Sequence, residues 1–321
     1  MFFRRIQYFL PLEGFHPALV ILATALSLFC LASPATAQPG GTAKPEAIPA
    51  PEDIALTTKD GLQLKATYFA SKKGKQAVPV VLLHMFEGSG GDFRELALGL
   101  QGLGHAVVVP DLRGHGGSTE IIGARKPLDA KTLSKRDFFA MVSQDMEAVK
   151  RFLLEKNDEE ELNVEKLCLV GAEMGANVAL DWARLDWSWP KLATGKQGQD
   201  VKALVLISPQ WSFRGLSAQP AVAHPAVRSE LSIMIIVGEG DRAAERDAVR
   251  LKKAFERYHP DPPKEKWVEE KDFWYIPLKT NLQGTKMLGV NELQIGPYIA
   301  RFIEYRIVNK TFSWQERTMA Y

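Results

Sequence analysis

The sequence predicts an α/β domain on a mostly parallel sheet, with an antiparallel hairpin at its start and helices on both faces. Three observations carry that expectation. Short apolar, largely β-branched runs alternate with segments whose apolar residues recur at helical spacing. The first two runs flank a polar turn, and no internal repeat or composition break divides the chain after residue 51.

The hairpin comes first, with Ile54–Thr57 and Leu62–Phe69 enclosing Lys59-Asp60-Gly61. Val78–His84, Ala106–Val109, Leu167–Val170, Ala203–Ser208, Ile233–Val237 and Trp274–Pro277 follow as strands. Their continuous apolar character is that of strands buried on both faces. Between them, helical spacing links Phe93, Leu96, Leu100 and Leu103, then Phe139, Val142, Met146, Val149 and Leu153. It returns at Met174, Val178, Trp182 and Leu185, at Ala244, Ala248, Leu251 and Phe255, and at Ile299, Phe302 and Ile303. Strands separated by helices of this length run parallel. The connection from Pro209 to Ser232 is too short for a large helical cap domain, so an open or lightly covered site is expected.

The N-terminus reads as a targeting segment. Arg4 and Arg5 precede an apolar run from about Ala18 to Ala32, and Ala35-Thr36-Ala37 supplies the small-x-small pattern of a signal-peptidase site. Residues 1–37 are therefore expected to be a secretory signal, 38–51 a linker rich in Pro, Gly and Ala, and 52–321 one domain. An uncleaved membrane anchor is the alternative, and no later segment is long and apolar enough to span a bilayer. The expected location is the periplasm or the extracellular space.

Loss of Arg4, Arg5 and Glu13 with the signal takes the formal net charge from +2 to +1, a balance that argues against nucleic acid as a partner. The chain has two cysteines, and Cys30 leaves with the signal. Cys168, alone inside an apolar strand, forms no intramolecular disulfide and reads as core. Cys/His clusters with metal-ligand spacing and phosphate loops ending in Lys-Ser/Thr are both absent from the sequence, so no cofactor is expected.

Four segments stand in a telling order. They are His84-Met85-Phe86-Glu87-Gly88, Asp111-Leu112-Arg113-Gly114-His115-Gly116-Gly117-Ser118, Gly171-Ala172-Glu173-Met174-Gly175 and Gly238-Glu239-Gly240-Asp241. Together they resemble the α/β-hydrolase fold superfamily across roughly residues 55–305. In turn they match its oxyanion-hole stretch, its D-x-R-G-x-G-x-S loop, its G-x-S-x-G nucleophile elbow and its acid-bearing strand end.

The resemblance implies a serine at the elbow, a histidine base late in the chain and an acid orienting that histidine. Glu173 stands where the serine belongs, and Gln283 where the histidine belongs. Asp241 matches the acid, and its type and place equally suit the N-cap of a helix starting near Arg242. The oxyanion-hole amides implied by the family are those of Phe86 and Met174, although Met85 replaces a customary glycine.

A glutamine takes no proton near neutral pH, and none of the six histidines follows His259. The triad-equivalent residues Glu173, Asp241 and Gln283 thus imply an exported, non-catalytic protein binding a small ligand or another protein. The alternative is a hydrolase with altered chemistry that uses Glu173 as base or nucleophile, since aspartates attack carbon in some enzymes of this fold. Glu173 is expected to sit in the oxyanion hole made by the Phe86 and Met174 amides and to block it, with an apolar pocket as the alternative. A carboxylate seated in the oxyanion hole would have a lowered pKa, whereas desolvation in an apolar pocket would raise it. His84, His115 and Lys286 are weaker candidates, and Trp182, Trp187 and Trp189 line either a cleft or the core.

Cleavage after Ala37 makes Gln38 the N-terminus of the mature chain. Mass spectrometry of protein isolated from the native envelope checks this, and an intact Met1 on membrane-bound material would indicate an anchor instead.

Overall fold

The computed structural model describes residues 47–193 and 195–317, so the expected signal and most of the expected linker lie outside the described residues. Ten strands occur in chain order: β1 (Glu52–Thr57), β2 (Gln63–Phe69), β3 (Pro79–Leu83), β4 (Ala106–Pro110), β5 (Leu167–Ala172), β6 (Val201–Ile207), β7 (Ser212–Phe213), β8 (Leu216–Ser217), β9 (Ser232–Gly238) and β10 (Phe273–Leu278). Eight of them form one sheet in the order β1-β2-β4-β3-β5-β6-β9-β10. Pairing is antiparallel at β1–β2 and β2–β4 and parallel from β4 to β10. Every residue of β3, β4, β5 and β9 is buried, as their unbroken apolar sequences require when helices cover both faces.

The helices packed around this sheet are α1 (Arg94–Gly102), α2 (Lys135–Ala140), α3 (Met146–Asp158), α4 (Met174–Ser188), α5 (Gln219–Ala223), α6 (Pro225–Ser229), α7 (Arg242–Glu256), α8 (Trp267–Glu270) and α9 (Ile295–Ile303). Between α2 and α3 the chain makes one π-helical stretch, Met141–Asp145. This wider turn moves the helix register. Phe138 is buried and Phe139 exposed, the reverse of the expectation from regular spacing. The same turn buries Asp145, which meets Arg113 at 2.6 Å. Trp182 is buried with its Nε1 donating to Glu147 at 2.8 Å, so it belongs to the core.

Residues 209–232 form no large cap. They carry the small ribbon β7–β8 and the short helices α5 and α6. Phe213 of this ribbon packs edge-on against Phe138 and lies 5.5 Å from Phe86. The Arg214 guanidinium stacks 4.1 Å from the Phe86 ring.

The tail after α9 is irregular in backbone but tightly fastened. Asn163 Nδ2 donates to Phe312 O, Asn157 Nδ2 donates to Gln315 O, and Arg317 pairs with Asp200 at 2.6 Å and Glu165 at 2.9 Å. Lys150 joins this cluster, pairing with Asp200 and, at 3.1 Å, with Asp186, and so does Lys196, which pairs with Glu165 and, at 2.8 Å, with Asp200. Removing one member of a buried ionic cluster strands the charges left behind, at a cost of about 3–5 kcal/mol. Lys150→Met should lower the unfolding free energy by about 3 kcal/mol or more, measured by equilibrium urea denaturation.

Candidate functional site

The functional residues converge where β5 hands over to α4. Glu173 occupies the single residue between them, with φ 47° and ψ −108°. A side-chain-bearing residue held there stores about 1–3 kcal/mol of strain unless its surroundings impose the geometry. Here they impose it through two glycines. A Cβ on Gly171 would stand 2.3 Å from Gly175 O, and one on Gly175 would stand 2.1 Å from Leu83 O. The helix start is thereby pressed against β5 and β3. Glu173 N donates to Ile207 O at 2.8 Å, and its carbonyl accepts from Ala176 N at 3.0 Å, so both backbone groups of the strained residue are satisfied.

The Glu173 side chain is half-buried and makes no capping hydrogen bond. It turns toward the loop after β10, where a Cβ on Gly284 would stand 2.8 Å from Glu173 Oε1 and 2.9 Å from Met85 Sδ. Gly284 has φ 58°, so glycine is suited there on both grounds. Burial raises the Glu173 pKa, the Lys286 charge opposes that rise, and the Asp241 charge adds to it. This departs from the expected seat in the oxyanion hole: the pKa is raised rather than lowered, and no hydrogen bond runs to the carboxyl from the Phe86 or Met174 amide. The reason is local, because its path is lined by the Met85 side chain and by Gly284, whose amide is given to Ser208 Oγ at 2.9 Å.

Gln283 lies one residue from that contact. Its Nε2 donates to Gly238 O at 2.7 Å, and its Oε1 accepts from Ser208 Oγ at 2.6 Å. Ser208 Oγ in turn accepts from Gly284 N at 2.9 Å. Gln283 thus joins the ends of β6 and β9 to the last loop. Asp241 is exposed, and its Oδ1 accepts from Ala243 N at 2.9 Å and Ala244 N at 3.1 Å as the N-cap of α7. Glu173, Asp241 and Gln283 lie beyond the C-terminal ends of β5, β9 and β10, yet no hydrogen bond connects their side chains to one another.

The histidines of the neighbouring loops are committed elsewhere. His84 accepts from Leu112 N through Nε2 at 2.9 Å and donates through Nδ1 to Met85 O at 2.7 Å, which fixes a neutral tautomer. Burial pushes its pKa down to about 4. His115 contacts Arg113 O through Nδ1 at 3.0 Å, and burial lowers its pKa as well. Asp111 accepts from Gly90 N at 2.7 Å and Gly117 N at 2.8 Å, tying the loop after β4 to the loop after β3. Behind them Arg113 bridges Asp145 and Asp60 of the hairpin turn. Burial pushes Asp145 up to about 6 against the pull of Arg113.

A family model described as the alpha/beta hydrolase fold matches residues 78–228, which contain the oxyanion-hole stretch, the Asp111 loop and the elbow. The protein has the α/β-hydrolase fold. Among solved structures, an esterase from Pyrococcus furiosus superposes with a TM-score of 0.55 at 14% identity, over 80% of this chain and 91% of that one. The dienelactone hydrolase of Anabaena variabilis gives 0.53 at 15% identity, over 80% and 98%. Est1E of Butyrivibrio proteoclasticus, with ferulic acid bound, gives 0.52 at 13% identity, over 80% and 100%. Two uncharacterised proteins from strains of Mycobacterium tuberculosis are 35% identical over 71 residues, 22% of this chain. The match spans about a quarter of those relatives' length.

Within this α/β-hydrolase fold Glu173 stands in a strained turn between β5 and α4, while Gln283 and Asp241 are bonded to Gly238, Ser208 and the start of α7. A carboxyl at the elbow accepts a proton or attacks carbon, but breaking the resulting ester needs a base to activate water, and the amide at 283 is none. Among the described residues no group of three His, Cys, Asp or Glu side chains is arranged to hold a metal. Ser208 was not singled out in the sequence, although its φ of 51° and its bonds to Gln283 and Gly284 make it part of the site. Its one signal was a polar residue ending an apolar strand.

A raised folded pKa favours the neutral acid, so Glu173 contributes stability below its ordinary value near 4.5 and loses it as pH rises through the raised value. Glu173→Gln should therefore be at least as stable as the wild type at pH 7.5. The difference should close as pH falls to 4, followed by thermal denaturation across that range.

Proposed function

We propose that this is an exported binding protein that uses the α/β-hydrolase scaffold without its hydrolytic cycle. The observation that carries the reading is the pairing of Glu173 at the elbow with Gln283 fastened to Gly238 and Ser208, which leaves no proton acceptor in the family's position. Two further features support it. Asp241 is engaged by the α7 backbone, and His84 is held neutral with both ring nitrogens bonded. The ligand is a small molecule entering at the elbow edge. Phe86 and Phe213 with the stacked Arg214 offer it aromatic surface and a cation, as would suit an aromatic acid such as the ferulic acid bound by Est1E. Export rests on the Arg4/Arg5, apolar and Ala35-x-Ala37 pattern.

One observation favours a second reading. The strained backbone at Glu173 persists without the serine that normally uses it, and burial raises the pKa of its carboxyl toward the range of a general acid or base. Such an enzyme would act on an ester or related bond.

Activated aryl esters separate the two. The wild type and Glu173→Gln should both hydrolyse them no faster than heat-treated protein, and so should Glu173→Ser and Gln283→His singly. Groups that act as a unit are strongly non-additive, so turnover should first appear in the Glu173→Ser/Gln283→His double variant. Wild-type turnover that disappears in Glu173→Gln, with an unchanged melting temperature, would overturn the binding-protein reading and establish the altered enzyme.

A further inference from the structure

The end of β5 opposite Glu173 borders a cavity of about 430 Å³. Its wall is built from Lys75 and Gln76 before β3, Asn163 and Lys166 before β5, and residues 308–314 of the tail. β5 has six residues, so at about 3.3 Å per residue roughly 20 Å separates this cavity from the elbow. It is not an extension of the hydrolase-type cleft.

Lys166 sets the cavity apart. It is 5% exposed, yet no carboxylate among the described residues pairs with it, and its ammonium is held only by a long hydrogen bond to Gln76 Oε1 at 3.4 Å. The buried Arg113, Lys150 and Arg317 each have an acidic partner in Asp145, Asp186 and Asp200, and the buried Arg306 donates to the carbonyls of Val268 and Glu269 at 2.7 and 2.8 Å, whereas Lys166 has one long bond to a side-chain amide. A buried ammonium without an acidic partner calls for an anion. Burial and the nearby Lys73 charge depress the Lys166 pKa, and burial and Arg306 do the same to Lys310 against the pull of Asp272. An independent feature agrees. Trp314 Nε1 is buried on this wall with no acceptor, beside a Lys75 ammonium 4.0 Å from the ring. Buried donors of this kind are normally satisfied. Lys75 is the one wall cation with a carboxylate, Glu160 at 2.8 Å.

The geometry points to a binding site for a small phosphate ester, its phosphate held by Lys166, Lys310 and Lys75 and its organic part against Trp314 and Phe312. Three lysines from different elements and no arginine line this wall; ammonium point charges suit a multiply charged tetrahedral anion, whereas a planar carboxylate is better matched by the fork of an arginine. The volume exceeds what inorganic phosphate needs and lies within the range of small-molecule pockets. A soluble phosphate ester and a phospholipid headgroup present this same chemistry.

Calorimetric titration of the full chain with inorganic phosphate and glycerol 3-phosphate tests the site. It is paired with co-sedimentation on phosphatidylcholine vesicles with and without phosphatidic acid. The expected result is one saturable site, weakened about tenfold or more by Lys166→Met and by Lys310→Ala, and unchanged by Lys253→Met on the exposed face of α7. Binding of the soluble probes alone assigns a free ester, and retention on phosphatidic acid vesicles that depends on Lys166 assigns a headgroup. Without ligand, Lys166→Met should melt no lower than the wild type, since it removes an unpaired buried charge, and phosphate should raise the melting temperature of the wild type only. Absence of saturable binding to every probe, or binding that both lysine variants retain in full, would overturn the proposal.

Discussion

The close approach of Gly175 to the carbonyl of Leu83 is the constraint on which the rest depends. A Cβ at 175 would fall 2.1 Å from that oxygen, and one at 171 would fall 2.3 Å from the oxygen of Gly175. With both positions bare, α4 starts directly over the ends of β3 and β5, and the residue between strand and helix has no freedom to relax. Glu173 takes φ 47° because its neighbours are fixed, not because a glutamate favours that conformation. The loops of the site then arrange themselves around a helix start they cannot push away.

Much of the site's remaining polar chemistry serves to hold those loops. Asp111 ties two glycine amides, His84 ties the backbone of Leu112 to that of Met85, Gln283 ties β9 to Ser208, and Asp241 caps α7. In a serine hydrolase, histidine and acid would be poised for proton transfer. Here Gln283 is bonded to Gly238 O and Ser208 Oγ, and Asp241 Oδ1 to the amides of Ala243 and Ala244. The burial that lowers the pKa of His84 raises that of Glu173, so both groups favour their neutral forms.

What the sequence disclosed and what it hid divide along physical lines. Strands β3 to β10 of the large sheet and the hairpin were legible because burial on both faces and a turn triplet are local signals. The elbow was legible because its two glycines answer a steric demand. The inward turn of Phe138 was not, since one π turn shifts the register and regular periodicity points to Phe139. The ribbon β7–β8 and helices α5 and α6 are too short for any period to establish itself. The direction of the Glu173 side chain depends on Met85 and Gly284, which lie far from it in sequence, and Ser208 enters the site only through such partners.

Strand β5 makes the two ends of the molecule comparable. At one end a carboxyl is packed among apolar and backbone groups, and at the other an ammonium is buried without a counter-ion, six strand residues away. The Arg113, Lys150 and Arg317 clusters show how this chain treats buried charge when only folding is at stake: it supplies a partner. Glu173 and Lys166 depart from that treatment, and both line places where the surface is indented or strained. Neither Glu173, on which the Lys286 charge acts, nor Lys166 has the close ion pair that Arg113, Lys150 and Arg317 have, which sets both positions apart from those clusters as places where a ligand would find an answering group.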